Sequence, residues 1–416
     1  MPQIYYDLTE LFTYYGGRAR YYGIAKVVSE VAREISLRHP QVRFVVFSSG
    51  HRDFFEVTLE DLATLSRAAS VRMRHVFPEP RLLRDLLAPP VWGAGRLISR
   101  RRWSRAGLDF PVARMEGGAL VSAARVKLFP EMIEAIHRSG ADVALHPILH
   151  DFMPLTTTPD WRQDSWRRKF HVDNRVILEA APQVVTVSQY TADEAWRLAD
   201  EGVLPRPTEV RAVQLVHECP AGEETPDQRP PQEPYLLAVG QRVGRKNLEC
   251  TFDALLALQE AGQRPPALVL AGGRRADTID CLAQPKYDAI RDRVLHYVDV
   301  SQTDLVALYR NALATVMATR MEGWGLPAGE SLWEGTPALC SDIPVLHEVC
   351  GDLALYFDPD SPQQLADHVQ RLMRDDSFRE ALRRRIATAR PGLRGWSAVA
   401  DDLVAVVEAF HGTRAA

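Results

Sequence analysis

Apolar residues in this chain recur in two alternating patterns. One is a short, nearly continuous run, found at residues 3–8, 42–47, 143–145, 183–187 and 209–216, then at 235–240, 267–270, 294–298, 314–318 and 353–357. Runs that are apolar on both faces read as parallel strands covered on each side. The other pattern is helical. After Gly23, residues Ile24, Val27, Val28, Val31 and Ile35 fall on one face, and residues 301–312 and 396–410 also read as helices. Strand, helix and strand in this order predict βαβ units, hence an α/β protein.

The clearest break in the alternation is at residues 219–234, CPAGEETPDQRPPQEP, which are polar, proline-rich and without apolar period. Such a stretch reads as a linker. It divides the chain into a first domain over 1–222 and a second over 223–395, with 396–416 left as a terminal helix. Residues 51–140 carry the weakest pattern. Within them RLISRRRWSR, residues 96–105, holds five arginines and a tryptophan. It reads either as a solvated helix face or as a basic, aromatic-bearing segment for an anionic membrane surface. The tyrosine-rich insertion at 14–22 is open in the same way, as a surface loop or as a contact for an acceptor or lipid headgroup.

Composition narrows the class. The 416 residues suffice for two domains with ordinary cores. Lys and Arg number 50 against 54 Asp and Glu, a balance that argues against wholesale nucleic-acid binding. The five cysteines form no C-x-x-C pair and are odd in number, so they read as reduced thiols of a cytosolic protein. The chain starts on Ile4-Tyr5-Tyr6 with no basic and apolar leader, and no apolar run reaches the length of a membrane span. The expectation is a soluble protein.

Chemistry concentrates at residues 322–330, EGWGLPAGE, between the run at 314–318 and a short helical segment. Gly323 and Gly325 let the backbone turn sharply and approach a ligand closely. Pro327 suits the first turn of a helix, whose unpaired N–H groups can seat a phosphate. Glu322 stands just before the turn and Glu330 eight residues later on the helix. A dinucleotide-binding turn is the rival reading, with Asp342 at ribose-binding distance. However, the glycines run G-x-G-x-x-x-G instead of G-x-G-x-x-G, and Pro327 and Glu330 would occupy the turn that must lie against the pyrophosphate. That rival would be an NAD-dependent oxidoreductase.

EGWGLPAGE, continued by SLWEGTPALCSDIPVLHEVCGDLALYFDP, closely resembles the signature of glycosyltransferase family 4, retaining enzymes of the GT-B fold. The resemblance implies two Rossmann-like domains facing a cleft, with the donor on the second, the acceptor on the first, and a C-terminal helix returning to the first. By the same analogy Glu330 holds the ribose hydroxyls of a nucleotide sugar and Glu322 the sugar hydroxyls. The backbone of Gly323, Trp324, Gly325 and Leu326 lines the sugar. Residues 241–247, QRVGRKN, resemble the family segment that grips the donor diphosphate, with Lys246 on the family's lysine and Arg245 beside it. The arginine usual after the first glycine is Gln241 here, which either passes that role to Arg242 or leaves it unfilled. His150 opens a segment like the family's H-D-x-x-P and would position the sugar, while Gly23-Ile24 resembles the Gly-Ile near the donor phosphates. Val298 stands where the family usually has a glycine against the nucleobase.

Asp7-Leu8-Thr9, Gly23-Ile24 and Arg245-Lys246-Asn247 look most like bacterial mannosyltransferase-type members that build surface polysaccharides such as lipopolysaccharide. That implies GDP-mannose or a GDP-deoxyhexose as donor and a glycan or lipid-linked glycan as acceptor. The enzyme would work in the cytoplasm, at the inner face of the membrane. No cofactor and no metal are implied. Asp358-Pro359-Asp360 resembles the metal-binding D-x-D of another transferase class, but Asp360-Ser361-Pro362 is the better helix start. The alternative from a different class is a non-catalytic member that binds nucleotide sugar or scaffolds an assembly complex. Intact Glu322, Lys246 and Glu330 argue against it.

Overall fold

The structure, a computed structural model, describes residues 2–13, 23–61, 96–105, 107–157, 161–221, 227–241 and 243–415. The insertion at 14–22 and Arg242 lie outside the described residues. The chain forms two compact units.

The first unit comprises Met1–Val187, Thr191–Val213 and Trp396–Ala416. Its strands are β1 (Gln3–Asp7), β2 (Arg43–Ser48), β3 (Asp53–Val57), β4 (Gly118–Ser122), β5 (Val143–Leu149), β6 (Val184–Thr186) and β7 (Val210–Ala212). They lie side by side in the order β3-β2-β1-β4-β5-β6-β7. Every pairing is parallel except β2 with β3. Val45, Leu120, Leu145 and Val184 carry its core through successive strands. β5 runs four residues past the expected end, through His146 and Pro147. Pairing with β6 begins only at Ile148, so the missing N–H of Pro147 leaves no ladder bond unmade on that side.

His146 is fully buried. Its Nδ1 lies 3.0 Å from Gln183 Oε1 and its Nε2 3.2 Å from His411 Nε2. Burial, then the neighbouring His411, pushes its pKa down to about 4, which keeps the ring neutral. His411 belongs to the Trp396–Ala415 helix, which also packs on the Ile24–Arg38 helix. There Asp401 accepts hydrogen bonds from Arg38 Nε and His39 Nε2, each at 2.8 Å. The last helix is thus a working part of the first unit's core.

Residues 96–105 are helical, with their five arginines exposed. The structure corrects one feature of the sequence reading. Trp103 is only 6% exposed and packs on His51 and Phe55, with ring centroids 4.4 and 4.6 Å away. It is a core residue, and the apolar side chains offered to solvent there are Leu97 and Ile98.

The second unit comprises Ser188–Tyr190 and Gln214–Gly395. Its strands are β8 (Tyr235–Val239), β9 (Ala267–Ala271), β10 (Val294–Tyr297), β11 (Ala314–Met317), β12 (Ala338–Ser341) and β13 (Leu355–Phe357). They run parallel in the order β10-β9-β8-β11-β12-β13. The strand order reverses between β8 and β11, the place where open parallel sheets bind ligands at their carboxyl ends. The chain enters this unit at Gln214, ahead of the proline-rich stretch. Residues 216 and 217 are already fastened there, since Val216 O accepts from Trp324 Nε1 at 2.9 Å and His217 N donates to Arg394 O at 2.9 Å. The five cysteines are buried and form no disulfide. No helix among the described residues is long and apolar enough to cross a membrane.

Candidate functional site

Two turns leave the carboxyl ends of β8 and β11. After β8, Gly240 adopts φ 93° and the chain makes a 3-10 turn over Gly244–Lys246. Asn247 follows at φ 52°, a left-handed conformation that asparagine tolerates, and the Leu248–Glu260 helix starts behind it. The Asn247 amide donates to Pro359 O at 2.7 Å, which ties the turn to the segment after β13. With no side chain at Gly240, the Lys246 stem passes within 3.7 Å of where a Cβ would stand.

After β11 the chain passes through Thr319 and Arg320 to Glu322. Arg320 N donates to Arg245 O at 3.0 Å, so the two turns share a backbone bond. Glu322 is the centre of the constellation. Its Oε1 lies 2.8 Å from Lys246 Nζ, 3.0 Å from Arg245 Nη1 and 2.9 Å from Thr319 Oγ1. Burial pushes the carboxyl up. Lys246, Arg245 and the hydrogen bonds from Lys246 and Thr319 outweigh it and hold Glu322 below the usual carboxylate range. One carboxylate against two cations leaves the cluster with a net charge of +1, suited to an anion.

Gly325, at φ 103°, starts the Leu326–Trp333 helix, and a Cβ there would stand 2.8 Å from Leu346 Cδ2. The positive φ asks for glycine, and a Cβ would in addition have to displace the Leu346 methyl. Gly329 serves packing, because a Cβ would come within 3.0 Å of Val216 O and 3.1 Å of His217 Cα. Glu330 lies on this helix, 3% exposed, and accepts a hydrogen bond from Tyr309 Oη at 2.7 Å. Trp324 is turned inward, 4% exposed, with its indole N–H on Val216 O. Its side chain is therefore committed to the fold, and only its backbone shares the turn with Gly323. Leu326 is partly exposed at the start of the helix.

The structure thus brings Arg245, Lys246, Glu322, Gly323 and Gly325 onto adjoining turns of one sheet, with Leu326 and Glu330 on the helix that leaves the second turn. Gly23 and His150 belong to the first unit. Gly23 starts the Ile24–Arg38 helix at φ 59°, and nothing lies within 4 Å of its missing Cβ, so backbone conformation alone asks for glycine. His150 follows β5, with Nε2 3.1 Å from Ala123 O. Burial outweighs that bond and lowers its pKa, so the neutral ring donates through Nε2. Arg242 lies outside the described residues.

Gln241 stands where an arginine was expected, and it is a structural plug. It is 2% exposed, donates to Leu270 O and Gly272 O at 3.0 and 2.8 Å, and lies 2.8 Å from His296 Nδ1 through its Oε1. The Asp358-Pro359-Asp360 segment works as a helix start. Ser361 accepts from Gln364 N, and Asp360 pairs with Arg320 at 2.5 Å. Sequence reasoning missed Thr319, Arg320 and Tyr309. The first two lie in the turn directly before Glu322, where side-chain polarity was the available signal. Tyr309 carried none, because it sits on the apolar face of a helix.

The family model described as glycosyl transferases group 1 matches residues 223–389. A serotype-specific mannosyltransferase WbdA of Escherichia coli is 24% identical over 297 residues, 67% of this chain and 36% of that protein. The O-antigen chain mannosyltransferase B of the same species is 31% identical over 250 residues, 58% of this chain and 63% of that one. This chain therefore spans little more than a third of the WbdA protein that it matches. Among solved structures, the sucrose-phosphate synthase from Thermosynechococcus elongatus aligns over 99% of each chain, with TM-score 0.64 and 16% identity. Anabaena Alr3699/HepE in complex with UDP and glucose aligns over 98% of this chain and 100% of its own, with TM-score 0.61 and 12% identity. These structural likenesses establish the fold, and that fold is GT-B.

Proposed function

We propose, for a chain whose residues 223–389 are a domain of the glycosyl transferases group 1, that it moves a hexose from a nucleotide diphosphate sugar to a glycan or lipid-linked glycan in surface polysaccharide assembly. The observation that carries this reading is the cluster of Lys246, Arg245 and Glu322 at the switch point between β8 and β11. Departure of the nucleoside diphosphate increases its negative charge. A preorganised pair of cations, with net charge +1 once Glu322 is counted, stabilises that charge as it develops, usually the largest contribution available to such a site. Glu322 orients the pair and meets the sugar hydroxyls, and Glu330 meets the ribose. The donor is mannose or a related deoxyhexose on GDP, and the relatives named as mannosyltransferases support the mannose. The transfer retains the anomeric configuration by front-face attack assisted by the leaving phosphate. The first unit takes the acceptor; His150 follows its β5 and Gly23 starts its Ile24–Arg38 helix.

Because Lys246 and Arg245 meet the diphosphate charge, transfer should proceed without a divalent cation. Incubation with GDP-, UDP-, ADP- and dTDP-sugars, an oligosaccharide acceptor and excess chelator tests both parts. Transfer from the GDP-sugar in chelator is expected. Activity that returns only with magnesium or manganese overturns the metal-independent step, and no transfer from any of the four overturns the reading.

The protein works in the cytoplasm, against the inner face of a membrane, through the exposed arginines of residues 96–105 with Leu97 and Ile98. Such contacts weaken with salt, since the Debye length falls to about 3 Å at 1 M. Flotation with anionic vesicles should lift a fraction of the protein at low ionic strength and none at high. Protein that stays wholly below the vesicles at low salt ends the membrane part of the reading.

A further inference from the structure

We infer that Tyr309 is a positioning residue of the donor site, holding the Glu330 carboxylate in the plane in which it receives a ribose diol. The inference rests on the reading above, in which Glu330 binds ribose. Tyr309 comes from the Gln302–Asn311 helix and is fully buried. Its hydroxyl donates to Glu330 Oε2 at 2.7 Å. A carboxylate rotates easily about its last carbon–carbon bond, and a charge-assisted donor on one oxygen fixes that rotation. Burial, then the charge of Glu330, raises the Tyr309 pKa far above its ordinary value, so the hydroxyl keeps its proton and acts as donor.

Both ends of this bond are braced. Tyr309 O accepts from Thr336 Oγ1 at 2.7 Å. Beside Glu330, Ser331 Oγ lies 2.8 Å from Thr315 Oγ1 and 3.0 Å from Thr336 O. The two helices and β11 therefore share one buried polar frame, and the carboxylate inherits its rigidity. A buried carboxylate beside a phenol is a poor purely structural device, because replacing both partners of such a hydrogen bond by apolar groups of the same shape can be nearly neutral or stabilising. A diol site explains it. Two adjacent hydroxyls are recognised only when the acceptor oxygens are held at a defined angle.

The experiment measures binding of GDP and of its 2′,3′-dideoxy counterpart, by calorimetry, to wild type, Tyr309→Phe, Glu330→Gln and the double variant, with a melting curve for each. Wild type should prefer GDP, and Glu330→Gln should lose most of that preference. Tyr309→Phe should bind GDP about tenfold more weakly, the scale of one hydrogen bond to a charged group, yet bind the dideoxy ligand as wild type does. The double variant should add no further loss. A folded Tyr309→Phe protein that keeps the full preference, or that weakens both ligands alike, overturns the inference while leaving Glu330 in place. A wild type that binds both ligands equally removes ribose from Glu330, and the reading itself falls.

Discussion

Lys246→Ala is expected to reduce turnover by about a hundredfold to a thousandfold, the usual loss when one contact to a developing charge is removed. The ammonium lies 2.8 Å from Glu322 and emerges at the carboxyl end of β8, where a diphosphate would gather charge as its bond to the sugar breaks. A group that meets charge only as it develops acts on the transition state more than on the bound donor. Donor saturation should therefore change less than turnover. The fold should feel the change as well. Lys246 is one of two cations on a buried carboxylate, and its side chain is only 16% exposed. Arg245 remains at 3.0 Å, so the carboxylate keeps one charged partner. Loss of one hydrogen bond between charged groups costs about 1.5–3 kcal/mol, and the melting temperature should fall accordingly. Steady-state kinetics and melting curves decide. A variant that turns over and saturates like wild type takes Lys246 out of the chemistry.

Much of this site was legible because its chemistry is local in sequence. Glu322, the glycine turn and Glu330 lie within nine consecutive residues, and Arg245 and Lys246 are adjacent. What joins them is not local. The ion pairs of Arg245 and Lys246 with Glu322, and the bonds from Arg320 N to Arg245 O and from Asn247 to Pro359, exist only because β11 lies beside β8 and β13 ends nearby. The direction of each indole was hidden as well. Trp324 was expected to offer only its backbone to the sugar, and its ring turns inward onto Val216. Trp103 is buried within an arginine-rich segment, a neighbourhood that says nothing of which helix face the indole takes.

The strands were legible where apolar runs were long, and the α/β class with its parallel sheets followed from them. β3 and β4 escaped notice. β3 is antiparallel, half-buried and joined to β2 by a short turn, outside the βαβ rhythm. β4 is central and completely buried, yet it begins Gly118-Ala119, residues with little strand preference. Its identity as a strand is dictated by the neighbour. Gly118 lies opposite Gln3 of β1, and a Cβ there would stand 2.4 Å from Gln3 O.

That crowding makes Gly118→Ala the most damaging small substitution expected in the first unit. The position carries no positive φ, so alanine meets no backbone strain there. The whole cost comes from forcing apart two central parallel strands whose four other register pairs are already made. Overpacking of this kind costs about 1–3 kcal/mol and occasionally more. The value should fall at the upper end, because the clashing atom is a backbone oxygen that no rotamer change can move. For a domain of about 150–250 residues each kcal/mol lowers the melting temperature by about 2–4 °C. Gly412→Ala is the matched control, since nothing lies within 4 Å of its Cβ position in the last helix. It should be neutral or raise stability by about 0.5–1 kcal/mol, because alanine loses less chain entropy than glycine on entering a helix. Equal melting temperatures for Gly118→Ala and wild type would mean that β1 and β4 are not packed against each other at Gln3 and Gly118.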